Sequence, residues 1–234
     1  MHDLPSAFRL AAKLILTLDP NLIEIIFLSL RVSLSAVVLA ALLGLPLGAA
    51  VALYRFRGRT AVSALLNAFM GLPPVVVGLL VYLMLSRSGP LGVFGLLFTP
   101  GAMIAAQCIL VLPIVGALAA QTVADLNVEY DEQLRSLAAG PMQRLFTLLW
   151  DGRFSLLTAI LAGFGRAVAE VGAVMIVGGN IDHFTRVMTT AIALETSKGD
   201  LALALGLGFV LIAIALIVNL LALGLRDVTR PQYA

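Results

Sequence analysis

The chain has 234 residues, of which 61% are hydrophobic and only 12% are charged, and its mean hydropathy is +1.05. Since soluble domains carry about 25% charged residues, this composition excludes an ordinary soluble enzyme and indicates a protein that spans a membrane. The formal net charge of +2 is too small to indicate nucleic-acid binding, and a single cysteine, Cys108, excludes a disulfide framework and a thiolate metal site.

The N-terminal residues 1–17 mix Asp3, Arg9 and Lys13 with apolar residues and offer neither an uninterrupted apolar core nor a small-residue cleavage site. We expect an amphipathic helix at the membrane interface there and not a removed signal peptide. Five later segments provide the roughly 20 apolar residues that a spanning helix needs. They are residues 27–54, 61–86, 102–124, 155–177 and 201–225. The predicted fold class is all-α, a single transmembrane domain over residues 1–234 with five spans and an N-terminal amphipathic segment.

Positive charge predicts the orientation of these spans. Arg55, Arg57 and Arg59 follow the first span and form the densest positive cluster of the chain. Positive loops remain in the cytoplasm, so the N-terminus and the loop 178–200 are expected outside. The loop 125–154 and the C-terminus, with Arg226 and Arg230, are expected in the cytoplasm.

Prolines fall inside three of the predicted spans, at Pro46, at the pair Pro73 and Pro74, and at Pro113. Each lacks a backbone N–H and can kink its helix, and the freed carbonyls must then face protein or water. Such kinks are typical of helices around a polar path and also of ordinary packed bundles. The sequence leaves both interpretations open.

The segment from Asp125 to Arg153 is the longest polar stretch of the chain. Its first half carries apolar residues at helical spacing, namely Tyr130, Leu134, Leu137 and Ala138. Gly140 and Pro141 interrupt the pattern, and a second helix can begin at Pro141. Its expected apolar face consists of Met142, Leu145, Phe146 and Leu149. Such a helical elbow is suited to dock into a groove on a partner, although a solvated loop with helical tendency would show the same pattern.

Arg166 and Glu170 lie four residues apart in the fourth predicted span, so they can form an ion pair. Each charge alone would cost about 2.5–3.5 kcal/mol inside the membrane. The pair therefore lines a water-filled path or forms a purely structural contact. Glycines at 163, 165 and 172 are expected to let helices approach closely.

The loop 178–200 places Val187, Ala191 and Leu194 at helical spacing, which predicts a short helix at the outer surface. His183 has no second ligand at a suitable spacing, so no metal site is predicted.

Three stretches, taken in chain order, resemble the permeases of ABC importers for molybdate and tungstate. They are LPPVVVG at 72–78, EQLRSLAA at 132–139 and FGRAVAEVGAVMIVGGNI at 164–181. The second is similar to the cytoplasmic E-A-A-x-x-x-G loop of that family, with Ala138 in the place of the glycine. The run MTTAIALETSKGD at 188–200 looks more like tungstate permeases than molybdate or sulfate ones. The resemblance extends from about residue 22 to the end and implies the type I importer permease fold, also called MetI-like.

This resemblance implies a multi-pass inner membrane subunit that works by alternating access and is not itself an enzyme. Implied partners are a second copy of the chain, an ATPase dimer on the cytoplasmic side, an extracytoplasmic oxyanion-binding protein and membrane lipid. ATP and Mg²⁺ would be bound by the ATPase, since this chain has no G-x-x-x-x-G-K-[ST] motif. No cofactor is expected on the chain itself.

Three sets of site residues follow from the resemblance. Coupling to the ATPase is expected from Glu132, Leu134, Arg135, Leu137, Ala138, Gly140 and Pro141. The pathway and gate are expected at Pro73, Pro74, Arg166, Glu170 and Gly172. Contact with the binding protein is expected from Asn180, Asp182, Arg186 and Thr189.

Alternative functions remain at this stage. Within transport, the chain could serve molybdate or sulfate instead of tungstate. From a different class, an ATP-independent channel or secondary carrier would also need kinked spans and an intramembrane charge pair. A non-catalytic membrane scaffold would leave that pair without a purpose.

Overall fold

The computed structural model describes residues 4–228 and the side-chain surroundings of residues 7–221, so the side chains of Arg226 and Arg230 lie outside the described part. Within residues 4–228 the chain forms eleven α-helices, a short 3-10 turn at Gly92–Phe94 and no strand, which confirms the all-α fold class. The helices are α1 (Leu4–Leu16), α2 (Pro20–Leu53), α3 (Arg59–Phe69), α4 (Pro74–Leu85), α5 (Pro100–Glu129), α6 (Asp131–Ser136), α7 (Pro141–Asp151), α8 (Arg153–Val168), α9 (Gly172–Gly178), α10 (Met188–Lys198) and α11 (Leu201–Val228).

Three of these helices, α2, α5 and α11, are each long and apolar enough to cross a membrane. Two pairs, α3 with α4 and α7 with α8, reach that length only together, and each pair is bent by more than 40° at its break. The described residues therefore contain three to five candidate spans. The number of five stays a prediction.

Two predicted spans are interrupted. Residues 61–86 are divided between α3 and α4, and residues 155–177 are divided between α8 and α9 by residues 169–171. Pro46 and Pro113 lie inside α2 and α5, whereas Pro73 precedes α4 and Pro74 is its first residue. The double proline therefore begins a helix instead of kinking one, because a proline is well tolerated where the N–H would have no helical partner.

The described chain forms two compact units. The first consists of the residues up to Ala36, Pro73–Gln107 and Arg166–Ile217. The second consists of Val37–Leu72, Cys108–Gly165 and the residues from Val218 onward.

In the first unit, α10 packs on the beginnings of α2 and α11. Their shared core contains Leu22, Ile25, Met188, Ala191 and Leu207. The first N–H groups of a helix lack an intrahelical acceptor, and the hydroxyl oxygen of Ser29 accepts the one from Met188 at 2.7 Å. This bond fixes the start of α10 against α2.

In the second unit, α2 and α5 approach each other through glycines. A Cβ at Gly48 would lie 2.3 Å from the carbonyl oxygen of Gly116, a distance at which no side-chain carbon fits. This close packing continues into a core of Ala49, Ala52, Val123, Leu134, Leu145 and Leu148, which attaches α6 and α7 to the ends of the longer helices.

Candidate functional site

The break between α8 and α9 contains the predicted charge pair. Glu170 lies beyond the last residue of α8 and is 3% exposed, and its carboxylate forms a salt bridge with Arg166, whose side chain is 29% exposed. The other carboxylate oxygen accepts the N–H of Ala173 at 3.0 Å in the first turn of α9. The expected ion pair is therefore present, and the same carboxylate also stabilises the beginning of the next helix.

Helix α4 packs directly on α9 beside this carboxylate. A Cβ at Gly78 would lie 2.7 Å from the Cα of Ala173, and a Cβ at Gly172 would lie 2.8 Å from a methyl carbon of Val75. Since Pro74 begins α4, the double proline and Gly172 belong to the same packed region as Glu170. The structure thus brings together Pro74, Gly172 and Glu170, three of the residues predicted for the pathway.

The glycines predicted to permit close helix approach differ from one another. A Cβ at Gly163 would lie 2.7 Å from a methyl carbon of Val111, so this glycine is required by packing, as is Gly172. A Cβ at Gly165 would meet no atom within 4 Å. The expectation for Gly165 was therefore wrong, because its position on α8 faces away from the neighbouring helices within the described chain.

Side chains from two other helices donate hydrogen bonds to backbone carbonyls at the break. The amide nitrogen of Gln107 on α5 donates to the carbonyl of Ala167 at 2.9 Å, and the hydroxyl of Thr189 on α10 donates to the carbonyl of Glu170 at 2.7 Å. Both side chains are buried. Gln107 was not predicted, although an amide inside an apolar run was a visible signal.

Thr189 does not lie on the outer surface where the sequence placed it. It is buried in the first turn of α10 and bonded to the break. Amphipathic spacing identified the helix but could not show which of its first residues turn inward, because that depends on the packing of α10 against α2 and α11.

The remaining residues predicted for partner contact lie in the segment before α10. Asp182 and Arg186 form a salt bridge of 2.6 Å, and Asp182 is exposed. Asn180 is partly buried, has a positive φ of 50° and donates weakly to the carbonyl of Thr190 at 3.5 Å. Asp182 and Arg186 border a cleft of about 120 Å³ that is also lined by Asn21, Glu24 and His183.

His183 and Glu24 form the contact in this cleft that sequence reasoning missed. The imidazole Nδ1 lies 2.8 Å from a carboxylate oxygen of Glu24, 159 positions earlier in the chain. The hydrogen bond with Glu24 raises the pKa of His183 above its ordinary value, and the charges of Glu24 and Asp182 act in the same direction. The contact between the imidazole and Glu24 thus connects the start of α2 to the segment before α10.

The elbow consists of α6 and α7. Leu134, which was predicted for contact with the ATPase, is buried in the core of the second unit, and α7 begins at Pro141, as predicted. Helix α6 ends at Ser136, however, and Ala138 has a left-handed backbone with φ of 50°. The N–H of Ala139 reaches back to the carbonyl of Leu134 at 3.0 Å, which closes the helix with the kind of turn that glycine normally occupies.

This early end changes the surface of the elbow. Leu137 lies beyond the last residue of α6 and is 76% exposed, and Glu132 and Arg135 are exposed beside it. On α7, Leu145 is buried, whereas Met142, Phe146 and Trp150 are exposed. Met142, Leu145, Phe146 and Leu149 share one side of the continuous helix α7, as predicted, but only Leu145 of these is buried, and the buried side of α7 is formed by Leu145 and Leu148.

Ionic contacts brace the two arms of the elbow. Asp131 forms salt bridges with Arg144 and with Arg135, the second at 2.8 Å, and Arg144 also donates to the side-chain oxygen of Asn127 at 2.8 Å. The hydrogen bond from Arg144 is the main cause that holds the pKa of Asp131 below its ordinary value. Gly140 donates to the side chain of Gln143 at 3.0 Å, which stabilises the start of α7.

Among the residues that the structure describes, no group of three His, Cys, Asp or Glu side chains could hold a metal ion. The candidate sites consist instead of a helix break with a buried charge pair, an exposed ionic cleft, and a braced elbow with exposed apolar side chains.

Comparison with known proteins gives a consistent result. A family model described as "Binding-protein-dependent transport system inner membrane component" matches residues 44–233. The chain is 46% identical over 215 residues to a probable anion ABC transporter permease protein of Haloferax volcanii, covering 89% of this chain and 92% of that protein. It is 40% identical over 227 residues to the tungstate uptake system permease protein TupB of Peptoclostridium acidaminophilum, covering 97% and 100%. The corresponding protein of Campylobacter jejuni is 39% identical over 212 residues, covering 91% and 89%.

Proposed function

The chain belongs to the family of binding-protein-dependent transport system inner membrane components, and on this premise we propose that it is the permease subunit of an ATP-binding-cassette importer for tungstate. The assignment of tungstate as the substrate rests on the 40% identity to a tungstate uptake permease over the whole length of that protein. The chain is a non-catalytic transport subunit, like the permeases it resembles, and a multi-pass protein of the inner membrane.

A permease of this family works with an ATPase and a substrate-binding protein. We infer that ATP and Mg²⁺ are bound by that ATPase and that two copies of the chain enclose the pathway. Three to five candidate spans are few for a complete translocator, and two-fold pairing is the commonest way for identical subunits to close an assembly. The loop 178–200 would face outward and the elbow inward, with the N-terminus outside and the C-terminus in the cytoplasm.

The exposed side of the elbow supports a role in coupling. Leu137, Met142, Phe146 and Trp150 are large apolar side chains open to solvent, and an exposed apolar set of this kind normally marks a protein contact. Glu132 and Arg135 supply charges at its edge. A short helix that lies in a groove of a partner uses this combination of apolar face and charged rim.

The braces of the elbow support transmission of movement. Arg144 bonds Asn127 on α5 and Asp131 on α6, and Leu134 lies in the same core as Leu145 and Leu148 of α7. A displacement of α7 is therefore expected to move α5 with it. We propose that ATP-driven closure of the ATPase acts on the pathway through this connection.

The break between α8 and α9 supports a role in the pathway. Non-helical backbone at membrane depth is tolerated only where it is buried in protein or lines a water-filled space, and interrupted helices are typical of substrate pathways in transporters. Arg166 keeps part of its surface open while Glu170 is buried. We propose that this arginine faces the passing anion and that Glu170 holds it in position.

Purification of the complex tests the coupling role. Cys108 is the only cysteine, so a Cys108→Ala protein with cysteine introduced at the exposed Ser136 gives a single cross-linking site. We expect an ATPase with a P-loop to co-purify and to cross-link at residue 136, and a cysteine at the exposed Ser197 of α10 to give no such product. Purification without any ATPase, together with uptake that survives ATP depletion, would favour a channel or secondary carrier.

Substrate identity is tested with the partner binding protein. Titration with tungstate, molybdate and sulfate is expected to give the tightest binding for tungstate, because the relatives over nearly the whole chain are tungstate permeases. If molybdate or sulfate binds most tightly, that ion and not tungstate is the substrate. The assignment as an importer permease would still stand.

The charge pair is tested by Glu170→Ala. We expect uptake to be abolished and the amount of protein in the membrane to be unchanged, since the substitution leaves Arg166 without its carboxylate and Ala173 without its acceptor. Glu170→Gln keeps the acceptor and removes the charge, so it separates the two roles. Normal uptake by a well-expressed Glu170→Ala protein would exclude the pathway role.

A further inference from the structure

A polar cleft of about 320 Å³ opens in the second unit where the end of α2 meets α3 and α5. Its polar lining consists of Arg59, Ser63, Asn67 and Gln121, and the other lining side chains are alanines, Val51 and Leu66. Within the described part of the chain, no acidic side chain lines it. The cleft is therefore a positively charged site surrounded by neutral hydrogen-bonding groups and small apolar side chains.

Arg59 is held in place by neutral acceptors, so no carboxylate among the described residues neutralises its charge. Its Nε donates to the carbonyl of Val51 at 2.8 Å and its Nη2 donates to the carbonyl of Ala52 at 3.0 Å, the last turn of α2. These acceptors are neutral, whereas Arg144, Arg166 and Arg186 each form a salt bridge with a carboxylate. Arg59 thus keeps a positive charge and the donors of Nη1 for a group that enters the cleft.

The cleft is suited to water and not to lipid. Ser63 and Asn67 lie one turn apart on α3, where the side chain of Asn67 donates to the carbonyl of Ser63 at 2.8 Å, and Gln121 is exposed on α5. Amide side chains at membrane depth face protein or water, since a polar group that meets hydrocarbon is costly. The volume accommodates several water molecules, as a hydrated ion requires.

We propose that this cleft transiently binds the transported oxyanion before its release toward the cytoplasm. This inference rests on the importer function proposed above. A tetrahedral divalent oxyanion offers acceptor oxygens in all directions, and the cleft offers donors from a guanidinium, two amides and a hydroxyl. One cation against two negative charges gives weak binding, which a transport site needs so that its ion can leave. Helix α5 runs from Gln121 to the elbow, so the site adjoins the element proposed to receive the movement of the ATPase.

The test uses the complex of permease and ATPase in proteoliposomes with its binding protein and ATP. Gln121→Glu keeps the shape of the side chain and places a negative charge in the cleft. Because the introduced carboxylate repels an anion that enters the cleft, we expect the rate of tungstate uptake to fall by about tenfold or more. Stimulation of ATP hydrolysis by the loaded binding protein should stay within about twofold of wild type, since that substitution leaves the coupling surface unchanged.

A control and a second variant complete the experiment. Ser197→Asp adds the same charge at an exposed position of α10 and is expected to transport like wild type. Ser63→Ala combined with Asn67→Ala removes two donors without adding charge, and we expect the complex without binding protein to retain at least about threefold less tungstate in equilibrium dialysis. If the Gln121→Glu complex does not assemble, the dialysis result for the double variant tests whether the cleft binds tungstate.

The outcomes separate the two proposals. If the wild-type complex transports tungstate and both variants transport and bind it like wild type, the cleft is not an anion site and the importer function stands. If the wild-type complex transports none of tungstate, molybdate and sulfate, the importer function itself fails. Loss of uptake in Gln121→Glu with ATP hydrolysis still stimulated supports the cleft.

Discussion

The contact between α4 and α9 at Gly78 allows the mechanical role of the helix break to be tested. In Gly78→Ala the new Cβ would lie 2.7 Å from the Cα of Ala173 and 3.2 Å from its carbonyl oxygen. Both neighbours are backbone atoms, so no side-chain rotation relieves the overlap. The two helices must separate, and overpacking of this kind costs about 1–3 kcal/mol. The gain from replacing a helical glycine is only about 0.5–1 kcal/mol, so we expect a net loss of about 1–2 kcal/mol.

The same displacement should impair transport, because the N–H of Ala173 is bonded to the carboxylate of Glu170. Gly165→Ala is the matched control, since its Cβ would meet no atom within 4 Å, and we expect it to be neutral or stabilising by up to about 1 kcal/mol. The assays are thermal unfolding of the purified protein and uptake by the complex. Wild-type stability of Gly78→Ala, or equal losses in both variants, would refute the reasoning.

Three further predictions concern the elbow and the cleft beside His183. Ala138→Gly relieves a left-handed alanine and should raise the free energy of unfolding by up to about 1 kcal/mol in denaturant titration; an unchanged or lower stability would contradict the assigned turn. Since the pKa of His183 is raised by Glu24, the stabilisation is present at low pH and is lost as pH rises through that raised pKa. The protection of residues 181–186 against hydrogen exchange, relative to the intrinsic rate at each pH, should then fall in wild type and stay constant in His183→Gln. Since the pKa of Asp131 is lowered by Arg144, the brace is lost as pH falls through that lowered pKa, and the protection of the elbow against exchange, relative to the intrinsic rate, should show an acid-induced loss that Asp131→Asn lacks.

Much of the fold could be predicted from the lengths of the apolar runs and from the residues that favour the start of a helix. The long apolar runs identified α2, α5 and α11 as candidate spans, and Pro141 identified the start of α7. The end of α6 could not be predicted, because a six-residue helix has too few turns for periodicity to show where it stops. Ala138 in a left-handed turn is also rare for a residue with a side chain, so nothing in its identity indicated the turn.

The charge pair shows a different limit. Spacing predicted the contact between Arg166 and Glu170, and the structure contains it. Spacing also predicted one continuous helix, whereas α8 ends before Glu170. No proline marks this break, and it depends on groups from distant parts of the chain, since Gln107 and Thr189 supply the hydrogen bonds that the interrupted backbone needs. Their part in the site follows from tertiary packing, which a local pattern does not record.

The bond from Thr189 to the carbonyl of Glu170 joins helix α10 to the break through a single hydroxyl. The cleft of Asp182, His183 and Arg186 immediately precedes the same helix. A shift of α10 must therefore either carry the break with it or lose this bond, which is worth about 1 kcal/mol. Thermodynamic reciprocity then applies: if a partner that docks at this cleft changes the affinity of the break for an ion, the ion changes the affinity of the cleft for that partner by the same factor. The loosely and the tightly docking form of the binding protein should therefore respond differently to substitutions at the break, although neither form touches the residues there.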